Sequence, residues 1–178
     1  MKQQEFKAKG LDKPKDTFGG KQFAKSNPKT RRPLEAKLPI HLVLRANQGG
    51  MRQPKVFAKV NDQVVRIAKK HGVTVYEWAN VGNHIHLVIK LRSLNGWSAY
   101  IRELTGRIAL LLKTNNLAPK DKKFWRHRPF TRIVRSWKKA FRDVLEYVHL
   151  NWLEAERFIN RKDTKTLKDL HQIWNESP

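Results

Sequence analysis

The chain contains no cysteine. Disulfide bridges and thiolate metal sites are therefore excluded, and any metal must be held by nitrogen or oxygen. Acidic residues are scarce as well: 15 Asp and Glu stand against 38 Lys and Arg, for a formal net charge of +23. A balance this one-sided argues against a basic partner and fits a polyanion, of which nucleic acid is the expected one. No apolar run approaches the ~18 residues of a membrane span, so no membrane partner is expected. The lysine-rich start lacks the apolar centre of a secretory signal, which leaves a cytoplasmic protein as the default.

What is present is enough for one domain with tails: 178 residues, 39% of them hydrophobic. Residues 1–37 read as a basic, flexible tail, rich in lysine, sparse in apolar residues and without a visible period. Such a segment is either a solubilising leader or an arm that lies along DNA through Lys29, Arg31 and Arg32. Residues 38–158 hold the periodic segments and form the expected folded domain, and residues 159–178 a helical extension.

Within the domain, residues 38–45 alternate as a strand, with Ile40, Leu42 and Leu44 on one face and His41, Val43 and Arg45 on the other. Residues 53–71 carry Val56, Val60, Val64 and Ile67 at helical spacing and end at Gly72. Residues 73–81 and 84–91 read as a hairpin around Gly82-Asn83. Ser93 is the expected cap of a helix to about residue 115, with Leu94, Trp97, Ile101, Leu104, Ile108 and Leu111 as its buried stripe. Residues 124–136 are β-prone, and 137–158 form a third helix with Phe141, Val144, Leu145, Val148 and Trp152 inward. Asp163 would cap a last helix. Strand, helix, strand, strand, helix, strand is the split β-α-β order of an α+β, ferredoxin-like fold: an antiparallel sheet with helices on one face, plus C-terminal helices. That fold hosts many functions, so the site must decide.

The segment Asn83-His84-Ile85-His86-Leu87 carries the chemistry. In a strand, His84 and His86 leave on one side and Ile85 on the other, so two imidazoles stand side by side on a rigid element. That arrangement suits a divalent metal. It equally describes two polar residues on the wetter face of a sheet. On the third helix, Tyr147 and Asn151 lie one turn apart on the flank of the apolar stripe, with His149 on the opposite flank. Asn151 is the candidate third ligand. Leading into that helix and over its first residues, Trp125, Arg126, Arg128, Phe130, Arg132, Arg135, Lys138 and Lys139 interleave aromatic and basic side chains. Bases can stack on the rings, Trp125 or Phe130 first, while the cations neutralise phosphates.

His84-Ile85-His86, followed at a distance by Tyr147-Val148-His149-Leu150-Asn151, resembles the HUH single-tyrosine transposases, and within them the branch associated with repetitive extragenic palindromes (REP). That branch typically carries Pro where this chain has Gly82 and Trp152. The resemblance implies a prokaryotic, nucleoid-associated DNA transposase, a single-strand endonuclease and ligase. In it Tyr147 would attack single-stranded or hairpin DNA and become linked to the 5′ phosphate. His84, His86 and Asn151 would hold magnesium or manganese. The alternatives are a catalytically silent single-strand binder of the same fold, or a nuclease that uses water. Monomer and homodimer both remain open.

If the tail holds phosphates, removing residues 1–32 should weaken single-strand binding at moderate salt. The slope of log affinity against log salt should also flatten by about 0.7 per lost contact. Arg128→Ala should flatten it by a single contact. Salt titrations check this, and parallel, unshifted lines would take the tail off the DNA.

Overall fold

The computed structural model describes residues 33–135 and 138–160. The expectations placed on Lys29, Arg31, Arg32 and the helix after Asp163 lie outside them. The elements run β1 (Ile40–Arg45), α1 (Pro54–Lys70), β2 (Val73–Asn80), β3 (His84–Leu91), α2 (Trp97–Thr114), β4 (Phe130–Ile133) and α3 (Lys139–Ala155). The sheet order is β2-β3-β1-β4, antiparallel throughout. This is the expected α+β, split β-α-β arrangement.

Alternation along the strands decides the layers. Ile40, Leu42 and Leu44 of β1 and Ile85, Leu87 and Ile89 of β3 bury against Val56, Val60, Val64 and Ile67 of α1 and Tyr100, Leu104, Ile108 and Leu112 of α2. Leu34 and Ala36 pack on the same core, so packed chain extends ahead of residue 38. On the opposite face, Ala79 and Val88 meet Val134 and Ala140, Val144 and Val148 of α3. Two helices thus cover one face, and the first C-terminal helix covers β2 and β3 on the other. β3 is sealed on both.

Local chemistry sets the ends of α1. Pro54 opens the helix, where its missing N–H has no intrahelical use. Lys69 and Lys70 sit at the negative end of the dipole, and Gly72 follows in the left-handed region at φ 63.

Two expectations need correction. Ser93 does not cap α2: its Oγ accepts the Asn95 N–H at 3.3 Å in a turn, and the helix begins at Trp97 after Gly96. The buried row then runs Tyr100, Leu104, Ile108, Leu112, and Leu94 is left 46% exposed outside the helix. On α3 the buried side runs through Ala140, Val144, Val148 and Asn151, which turns Trp152 outward to 36% exposure.

Candidate metal and nucleophile site

The turn between β2 and β3 aims the histidines. Asn80, 1% exposed, donates from Nδ2 to the Met51 carbonyl at 2.9 Å and accepts the Gly82 N–H on Oδ1 at 3.0 Å. Gly82 has φ 97. A proline ring locks φ near about −65°, so the proline usual in the resembled branch cannot take this conformation. The turn closes with the Val81 N–H on the His84 carbonyl at 2.9 Å, and β3 starts there.

β3 delivers both imidazoles to the α3 side of the sheet. The His84 and His86 rings meet edge to face with centroids 4.7 Å apart. His84 Nδ1 lies 2.6 Å from Asn83 Oδ1, so this nitrogen carries the proton and Nε2 keeps the lone pair. His86 is 1% exposed; its Nδ1 lies 3.1 Å from Nε2 of His41 on β1, while its own Nε2 is sealed with no hydrogen-bond partner. Burial, then the charge of Arg45, lowers the His84 pKa to about 4. His86 is held well below its ordinary value by burial and by its neighbours His41 and His84. Burial, then Arg132, brings His41 to about 4. Three neutral imidazoles at neutral pH keep the lone pairs that metal ligation needs.

α3 brings the phenol. The Tyr147 ring stands edge-on to His86 at 5.5 Å and to His41 at 5.9 Å. Asn151, 8% exposed, donates from Nδ2 to the Tyr147 carbonyl at 2.6 Å, which leaves Oδ1 as its acceptor atom. The far end of α3 is tied to the body by Arg52. That residue pairs with Glu156 at 2.9 Å and donates to the Asn80 carbonyl at 3.0 Å. One guanidinium thus links the end of the tyrosine helix to the turn that aims the histidines. His149 falls on the other flank of α3, 3.7 Å from Glu77.

The residues fit a divalent cation through the unpartnered His86 Nε2, the remaining nitrogen of His84 and the Asn151 oxygen. Among the described residues no group of three or more His, Asp or Glu could hold a metal. Sequence reasoning had placed His41 on the correct face of β1 but had not connected it to the site. The signal was strand alternation, combined with the pairing of Val43 with His86 that sets His41 one diagonal step away.

The expected DNA-binding side chains separate into groups. Arg126, Arg128, Arg135, Lys138 and Lys139 are exposed, Lys139 in an ion pair with Asp143 at 3.5 Å. Arg132 is half-buried and directly across from His41. Trp125 is half-buried, packed on the main core, and its indole N–H donates to the Thr105 carbonyl at 2.9 Å. Phe130, across from Val43 on the histidine face, is 40% exposed.

The helix-borne phenol stands against paired histidines on a ferredoxin-like sheet, and comparison identifies the family. The family profile described as "Transposase IS200 like" matches residues 35–151. The chain belongs to this transposase family, a family of DNA-processing enzymes. Its fold is similar to the solved structure of a REP-associated tyrosine transposase bound to a REP hairpin. The TM-score is 0.54 at 14% identity, covering 72% of this chain and 74% of that one. A protein assigned as a transposase from Deinococcus radiodurans R1 matches with TM-score 0.47 at 15% identity, covering 70% of this chain and 98% of that one. No curated protein matches the chain. No helix among the described residues is long and apolar enough to cross a membrane.

The depressed histidines make stability depend on pH. Above pH 6.5, His41 and His84 are neutral both folded and unfolded. As pH falls from 6.5 towards 4, the unfolded chain takes up protons on these two residues that the folded one refuses, so the stability they contribute is lost across that window. The loss should be on the order of a few kcal/mol. Urea melts from pH 7.5 to 4.5 should show it, and the variant His41→Gln/His84→Gln should show a shallower fall. Equal slopes in parent and variant would contradict the assignment.

Proposed function

We propose that the chain cleaves and rejoins single-stranded, hairpin-forming DNA through Tyr147. The observation that carries the reading is a sealed, unpartnered imidazole nitrogen, His86 Nε2, on a ring in contact with that of Tyr147. Buried polar atoms are nearly always satisfied, and an exception calls for an absent partner. His84, His86 and Asn151 would hold magnesium or manganese. When bound, the cation would offset the charge that builds on the phosphate oxygens in the transition state.

The chain's own groups do the rest. Tyr147 Oη bonds to phosphorus as its phenolic proton is lost, the bond from phosphorus to the 3′ oxygen breaks, and a 3′ hydroxyl leaves. The 5′ phosphate stays on the tyrosine until another 3′ hydroxyl, losing its proton, attacks phosphorus; the phosphorus–Oη bond then breaks, Tyr147 leaves as the phenol, and the strand is rejoined. A free phenol with pKa near about 10 is mostly protonated at neutral pH, so attack depends on holding it at the phosphate. The Asn151 bond to the Tyr147 carbonyl and the Arg52–Glu156 tie support that placement.

DNA would reach the site over the β1–β4 part of the same face. Phe130, 40% exposed on this face, would offer a ring for stacking. Arg126, Arg128, Arg132, Arg135, Lys138 and Lys139 would neutralise phosphates. The similar REP-associated enzyme was solved with a REP hairpin, which supports hairpin DNA as the substrate class.

With manganese and a cleavable hairpin-bearing single strand, the parent should form a covalent protein–DNA adduct that survives denaturation. Tyr147→Phe should bind DNA with unchanged affinity and form none. His84→Ala and His86→Ala should each abolish the adduct, and Asn151→Ala should reduce it less. An adduct in Tyr147→Phe would move the nucleophile, to Tyr76 before Tyr100, because Tyr76 is 36% exposed and Tyr100 is sealed at 0%. Cleavage without any adduct would indicate attack by water, and binding without cleavage a silent binder.

A further inference from the structure

His41 belongs to β1, outside the His84–His86 strand, yet it holds a nitrogen of His86. Its Nε2 and His86 Nδ1 are 3.1 Å apart, and the two rings are inclined by only 15°. Both rings are buried among packed side chains, where a charged imidazole is disfavoured. A hydrogen bond between two neutral rings needs one N–H and one lone pair, which leaves two arrangements. If His41 donates, His86 must carry its own proton on Nε2, a donor sealed without an acceptor and unable to bind a cation. If His86 donates from Nδ1, its Nε2 presents a lone pair.

Building on the metal reading above, we propose that His41 is a positioning residue: it accepts the Nδ1 proton of His86 and so leaves that ring's Nε2 with the lone pair a ligand needs. A ligating histidine commonly has its other ring nitrogen anchored in this way, which sets both tautomer and orientation. Here the anchor is a second imidazole, delivered by the antiparallel register that puts Val43 across from His86 and His41 across from Val88. His41 touches the Tyr147 ring as well, so one side chain borders both the ligand and the phenol.

Long-range proton–nitrogen spectra of the full, metal-free, nitrogen-15-labelled chain at pH 7.5 read the tautomers directly. They should show His86 protonated on Nδ1 and His41 unprotonated on Nε2. His41→Phe keeps a ring of similar bulk but no acceptor. It should shift His86 towards the Nε2–H form and weaken Mn²⁺ binding, followed by electron paramagnetic resonance, about 10- to 100-fold. His41→Gln, whose amide oxygen can accept the proton, should recover most of that affinity, which a role in packing alone would not produce. His86 protonated on Nε2 in the parent would overturn the proposal, and this spectrum needs no variant to fold. Parental Mn²⁺ affinity and tautomer in His41→Phe would overturn it equally. A parent with His86 protonated on Nδ1 but no affinity for Mn²⁺ would sink the metal reading, and the positioning role of His41 with it, while leaving the hydrogen bond assigned.

Discussion

β3 sends its side chains into two different packed layers. Ile85, Leu87 and Ile89 enter the core under α1 and α2, while His86 and Val88 enter the layer under α3. Polar atoms carried into a packed layer must find partners there, because lost hydration is not otherwise replaced. Of the two nitrogens of His86, one finds His41 and the other finds none. A slip of one residue in the β1–β3 register would send the imidazoles into the main core and the isoleucines towards the tyrosine. The apolar pattern that seals one face of β3 therefore also holds the histidines to the other.

The tyrosine is positioned by a different set of contacts. Val144 and Val148 seat α3 on the sheet. Arg52 then joins the end of that helix to the β2–β3 turn through Glu156 and the Asn80 carbonyl. The tyrosine helix and the histidine strand are thus referenced to one short stretch of backbone, with Gly82 at φ 97 supplying a conformation that side chains rarely adopt. Sites built on strands and helices hold geometry better than sites on loops, and this one is carried by β1, β3 and α3.

Most of the architecture was readable from periodicity. Period 2 in residues 38–45 and 84–91, and period 3.6 in 53–71, each belong to one face of one element, and the order of elements narrows the topology. The errors came where tertiary packing overrode local pattern. Leu94 looked like the first turn of α2, but the backbone enters helix only at Trp97. Trp152 fitted the apolar stripe of α3 by angle, yet the helix turns Asn151 inward, held by the Tyr147 carbonyl. Trp125 appeared as an available stacker because nothing local shows that its N–H would bond to Thr105, distant in sequence. His41 was visible as a residue and invisible as a partner, because a diagonal contact between strands requires a register that no single strand contains.

In the proposed reading, His84, His86 and Asn151 form one cation site beside Tyr147. The most direct measurement is the anomalous scattering of manganese in crystals of the full chain grown with Mn²⁺ and hairpin DNA. The account predicts one strong peak, bonded by Nε2 of His84, Nε2 of His86 and Oδ1 of Asn151, with a DNA phosphate between it and Tyr147 Oη. A peak away from these atoms, or no peak at Mn²⁺ concentrations that support cleavage, would contradict it.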